Sequence, residues 1–171
     1  NGRRHFKYKM DSPILNIISI QSGRYAVKRD VWNGVAIEVF YHPVHDYNVD
    51  RMVNGVKASL EYYAREFGPY QHRQVRIVEY PRYATYAESL PNTIPYSEGL
   101  GFIAHPDPTN DKDVDYPFYI TAHEVAHQWW AHQLVPADVK GAAFVTETLA
   151  QYSAMMVLKK RYGEKQMGRY L

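Results

Sequence analysis

Cysteine is absent from the 171 residues, which removes disulfides and thiolate metal ligands together. Any transition metal must then be held by histidine and carboxylate. No apolar run approaches the roughly 20 residues needed to span a bilayer, and no hydrophobic signal core follows the basic start NGRRHFKYK. The segment is therefore expected to be soluble, with no membrane contact of its own. An excess of one charge is also missing: 20 Lys and Arg face 18 Asp and Glu, and the cations are spread along the chain, so no nucleic-acid partner is expected. Internal repeats and low-complexity tracts are lacking too. There is no initiator Met, and KQMGRYL ends without a polar tail, which predicts a segment of a longer parent chain whose N- and C-terminal parts are missing here. No compartment is assigned; a domain of a larger membrane-associated protein, on either side of the membrane, fits equally.

What is present belongs to a folded protein: 46% of residues are hydrophobic and 16 are tyrosines, enough to build a core. ILNIISI (14–20) and GVAIEVFY (34–41) are short and rich in β-branched residues, which predicts strands in a β-meander around SGRYAVKRDVWNG. Val49, Met52, Val53, Val56, Leu60, Tyr63 and Phe67 form one stripe near period 3.6, a helix capped by Asn48 or Asp50 and stopped by Gly68-Pro69. QVRIVEY (74–80) alternates as a half-buried strand. The punctuated stretch 81–101 reads as a long loop, and 105–115, with its four aspartates, as a polar connection that fits no calcium loop. Helices are expected at 116–134 and 147–162. Strands first and helices later give an α+β class.

The chemistry concentrates in TAHEVAHQWWAHQLV, 121–135. On a helix His123 and His127, four apart, share a face and can reach one ion, with the Glu124 carboxylate next to them: the HExxH arrangement. Neutral imidazole suits zinc, and Glu124 is spaced to take a proton from the water that zinc binds. A core helix with two hydrogen-bonded histidines is the competing reading; no helix breaker interrupts the motif to favour it. His132 lies nine residues past His123, about 180° around a continuous helix, and is expected to face away. Trp130 and Gln133 rule out the longer HExxHxxGxxH motif. The third ligand must come from further on. Asp138 is one candidate, but Glu147, expected at the start of the next helix behind Thr146, is preferred because its carboxylate can point back from that helix start. Two imidazoles and one carboxylate leave a position open for water, the form of a catalytic zinc site that suits amide hydrolysis.

HEVAHQWW followed by TETLAQY resembles the gluzincins, specifically the aminopeptidase N-type zinc aminopeptidases. The match rests on His123, Glu124, His127, Gln128 and Trp129, then Glu147; FGPY after the first helix is a weaker likeness. The resemblance implies a zincin-like, thermolysin-type catalytic domain held as a fragment, with one Zn2+ per chain and a peptide substrate trimmed from its N-terminus. FKYKMDSPILNI is similar to the family's passage from a preceding β-domain, so residues 1–20 are expected to end that domain and 21–171 to form part of the catalytic one. The resemblance also assigns Glu98, in IPYSEGLGF, to recognition of the substrate's free α-amine. Pro95, Tyr96, Ser97 and Gly99 depart from the family pattern around it, which leaves endopeptidase action open. Nineteen residues separate His127 from Glu147, one more than is usual in the family and a spacing familiar from thermolysin-like members. The family's oxyanion-stabilising tyrosine would fall beyond Leu171. A second class of function, a catalytically idle zinc-containing peptide-binding module of a larger assembly, stands beside the enzyme; Glu124 favours the enzyme, since a structural site does not need it.

Overall fold

The computed structural model describes residues 2–107, 109–110 and 113–170. β1 (Ala26–Trp32) and β2 (Val35–Tyr41) pair antiparallel through an Asn33-Gly34 turn. Both turn residues have positive φ, 44° and 83°, which is the type I′ geometry that Asn-Gly accommodates. β2 then runs parallel to β3 (Gln74–Tyr80), and β3 parallel to β4 (Thr93–Ser97), for a sheet order of β1-β2-β3-β4. Parallel neighbours need a crossover, and α1 (Val49–Glu66) supplies the one from β2 to β3. One π-helical turn (Glu98–Phe102) follows β4, and then come α2 (Tyr116–Ala126), α3 (Ala142–Tyr162) and the short α4 (Glu164–Met167). The class is α+β. Among the described residues no helix is long and apolar enough to cross a membrane.

The core lies between the sheet and the helices. Ile37, Val39, Val75, Ile77 and Ile94 meet the α1 stripe of Met52, Val53, Val56, Leu60 and Tyr63, all buried. α2 packs on α1 through Gly55, where a Cβ would stand 3.0 Å from Thr121 Cγ2; the missing side chain is what permits the approach. Tyr63 Oη donates to Ala122 O at 2.9 Å and fixes α2 along α1. Trp129 Nε1 donates to Gly68 O, and Trp130 Nε1 to Ser153 Oγ on α3, so the paired tryptophans tie α2's end to both neighbouring helices.

Several expectations are corrected. Residues 14–20 form no strand: their apolar side chains are largely exposed and no sheet neighbour pairs with them, so the meander reduces to the β1–β2 hairpin. The supposed loop 81–101 contains β4, whose Pro95 hides it from a strand pattern, and the π-helical turn. Residues 86–90 fold back antiparallel along β4's other edge, with Glu88 N donating to Pro95 O, Leu90 N to Thr93 O, and Ser97 N to Tyr86 O. The first late helix ends at Ala126 and not at 134. Ala131 takes a φ of 141°, which an α-helix cannot contain. The second begins at Ala142, capped by Gly141 at φ 94°, so Thr146 is no N-cap; its hydroxyl donates back to Ala143 O at 3.0 Å. In the polar connection, Asp111 lies outside the described residues, while Asp115 caps α2 by accepting from Phe118 N.

Asn48 makes no side-chain cap to α1. Its buried amide instead donates to Gly101 O and Ala104 O at 2.6 and 2.7 Å, pinning the π-helical turn onto the helix start. Leaving buried carbonyls unpaired costs about 1–3 kcal/mol each. Asn48→Ala is therefore expected to lose about 2–4 kcal/mol of stability in urea unfolding, with m unchanged.

Candidate metal centre

α2 puts His123 and His127 one turn apart on its α3-facing side, and α3 brings Glu147 across to them. His123 Nε2 lies 3.1 Å from His127 Nε2 and 3.2 Å from Glu147 Oε2, and His127 Nε2 lies 3.4 Å from the same oxygen. A tetrahedral ion with bonds of about 2.0–2.1 Å holds its donors about 3.3–3.4 Å apart, so the near-equilateral triangle has the size of one face of such a shell. The three sequence-predicted ligands are brought together, and the donor set fits zinc.

The end of α2 prepares one ligand. A helix continuing to 134 would have bonded Trp130 O to the amide four residues on; because it stops, that carbonyl accepts from His127 Nδ1 at 3.0 Å. The proton held at Nδ1 leaves Nε2 bare and aimed at the triangle, as a metal ligand requires. Burial, and then the His127 ring beside it, pushes the His123 imidazole below its ordinary pKa and so towards the neutral form. Tyr119 Oη donates to Gln151 Oε1, and Gln151 lies one turn beyond Glu147, beside His123.

Glu124 is 7% exposed, and its carboxylate accepts no hydrogen bond from a described residue. Burial first, then Glu147 and Glu88, raise its pKa to about 8. The surrounding cleft, of about 570 Å3, contains Glu88, Glu124 and Glu147, the imidazoles of His123, His127 and His132, and no Lys or Arg among its described walls. Of these carboxylates Glu124 alone is buried, while Glu88 and Glu147 stand exposed at the cleft mouth.

The other expectations fare differently. His132 does reach the cleft wall, because α2 has ended before it, but it supplies no ligand: its ring lies 2.8 Å from Ser89 O through Nε2. Asp138 is outside the triad and the cleft lining. Glu98 does not line the cleft either. It is turned to Arg82, whose backbone N–H donates to Oε1 at 3.2 Å, and to His45. The carboxylate that does face the cleft is Glu88, on the edge segment, which the sequence reading passed over. Alternation of Tyr86, Glu88 and Leu90 was the available signal, masked by the prolines on either side.

Gln128 clamps that edge segment. Its Oε1 accepts from Asn92 N at 2.8 Å, and its Nε2 donates to Ser89 Oγ at 2.6 Å and Leu90 O at 2.9 Å. No protein family model matches this chain, and no curated protein matches it.

The clamp predicts its own test. Gln128→Ala is expected to cost about 1–3 kcal/mol, chiefly because the buried Asn92 N–H loses its acceptor. It is also expected to speed amide hydrogen exchange across 86–92 by more than in β2 or β3. Uniform acceleration through the sheet would show that the amide acts on global stability alone.

Proposed function

We propose that this chain is a zinc-dependent peptidase with a zincin-like, thermolysin-type catalytic domain, acting as an aminopeptidase on the N-terminal residue of peptides. The observation that carries the reading is the convergence of His123 Nε2, His127 Nε2 and Glu147 Oε2 at the spacing of one ion, with the Glu124 carboxylate beside them. A bound zinc supplies Lewis acidity there, lowering the pKa of water towards ~7 and polarising a carbonyl. Glu124, which no described residue occupies with a hydrogen bond, is placed to take the proton of the attacking water and to pass it to the departing amine.

A peptide is supported by the edge segment. Tyr86 O and Glu88 N are spent on β4, and Ala87 stands opposite Tyr96, so the Ala87 N–H and C=O point away from the sheet, beside the cleft. An extended chain can pair its backbone with them as an added strand. Glu88 follows immediately and offers a carboxylate to a free α-amine near the ligands. Amine recognition accordingly belongs to Glu88 in this reading, in place of Glu98.

Glu124→Gln is expected to keep its zinc and to lose turnover of aminoacyl-amide reporters by about 10²–10⁴-fold. His127→Ala loses both the zinc of this site and the activity. Wild-type rates in the Gln variant would overturn the assignment of the base.

Free-amine and N-acetylated peptides separate the remaining alternatives. An aminopeptidase cleaves only the former, and Glu88→Gln raises its KM for them about tenfold or more. Cleavage of both marks an endopeptidase, and cleavage of neither marks an idle peptide-binding module.

A further inference from the structure

We propose that the C-terminal edge of the parallel sheet carries a second divalent-metal site, formed by His45, Glu79 and Glu98. It does not depend on the peptidase reading. The three residues come from the ends of three adjacent strands: His45 follows β2, Glu79 is the penultimate residue of β3, and Glu98 follows β4 directly. They are far apart in sequence, so the parallel topology alone gathers them. Their donor atoms all lie within 4.8 Å of one another.

Each carboxylate is set up in the same way. Glu79 Oε2 accepts from the backbone N–H of His42, which leaves Oε1 facing His45 Nδ1 at 2.5 Å. Glu98 Oε1 accepts from the backbone N–H of Arg82 at 3.2 Å, which leaves Oε2 facing the same nitrogen at 3.9 Å. One oxygen of each is thus fixed from outside the cluster and the other is turned inward, which is how outer hydrogen bonds orient metal ligands. The separations of 2.5 and 3.9 Å bracket the edges, about 3.0–3.4 Å, of an octahedral or tetrahedral shell with bonds near 2.1 Å. Seating an ion replaces the direct His45–Glu79 hydrogen bond, opening that contact by about 0.5 Å or more and closing the His45–Glu98 one by about as much.

Charge argues the same way. Glu79 has a side chain only 4% exposed, and among the described residues the Lys or Arg in ion-pair reach of the two carboxylates is Arg82, which meets the outer oxygen of Glu98 at 3.8 Å from a position 70% exposed. An imidazole with two carboxylates suits zinc or manganese better than calcium. Its effect is mechanical: it ties β2, β3 and β4 together at the start of the π-helical turn, whose Leu100 lines the peptidase cleft.

The test uses the full chain, stripped with chelator and dialysed against low-micromolar zinc, with metal counted by mass spectrometry. Wild type is expected to hold two equivalents, and His45→Ala, Glu98→Gln and His127→Ala one each. Glu98→Gln is included because removing the buried Glu79 can unfold the chain, whereas the Glu98 side chain is 20% exposed and keeps its shape as Gln. His127→Ala, which retains only the second site, should melt higher with zinc than without, and the rise should vanish when Glu98→Gln is added. Two equivalents in both His45→Ala and Glu98→Gln, or none in His127→Ala, would overturn the proposal. So would a His127→Ala melting temperature indifferent to zinc.

Discussion

His123 Nε2, His127 Nε2 and Glu147 Oε2 lie 3.1, 3.2 and 3.4 Å from one another, and no Lys or Arg stands in the described cleft wall beside them. The surrounding architecture holds them there. α2 is seated on α1 by the Gly55–Thr121 approach and the Tyr63–Ala122 hydrogen bond, and α3 is fastened to α2 through Trp130 and Ser153. Rigid packing keeps these groups together, and burial first, then the neighbouring Glu147 and Glu88, raises the pKa of Glu124. A site preorganised in this way has stored part of the work of gathering ligands in the folding of its core.

The early end of α2 serves the same constraint. A longer helix would have been more regular, yet it would have consumed Trp130 O in its own ladder and turned His132 away from the cleft. By stopping at Ala126 the chain frees that carbonyl to fix the His127 tautomer and lets His132 and Gln128 grip Ser89 and its neighbours. One irregularity thus connects the His123–His127–Glu147 cluster to the edge segment 86–90.

The clustering of His123, His127 and Glu147 was legible because its information is local or nearly so. His123, Glu124 and His127 follow from one helical period, and Glu147 from the need for a third donor on the next helix. The hairpin was half legible, with Asn33-Gly34 marking its turn but ILNIISI claimed as a partner strand on composition alone. β4 was hidden for a physical reason. It is five residues long with Pro95 at its centre, tolerated because the ladder groups of Pro95 face the edge segment and not β3: its carbonyl accepts from Glu88 N, and only the return bond to Glu88 O is lost. Once β4 is missed, the edge segment is missed with it, and Glu88 cannot be distinguished from Glu98, ten residues later.

That distinction turns on strand parity and connection, which no spacing rule along the chain contains. Glu88 stands on a segment that lies along β4's outer edge, next to α2, whereas Glu98 leaves the end of β4 on the side of β2 and β3 and meets His45 and Arg82. Two glutamates close in sequence are thereby delivered to different places by one reversal of the chain. Where a residue is read by its distance from a motif, such a reversal can deliver a neighbour to the cleft in its place while leaving the motif intact. The His123–His127–Glu147 cluster, set by adjacent turns of packed helices, is immune to it; a residue delivered by a sheet edge is not.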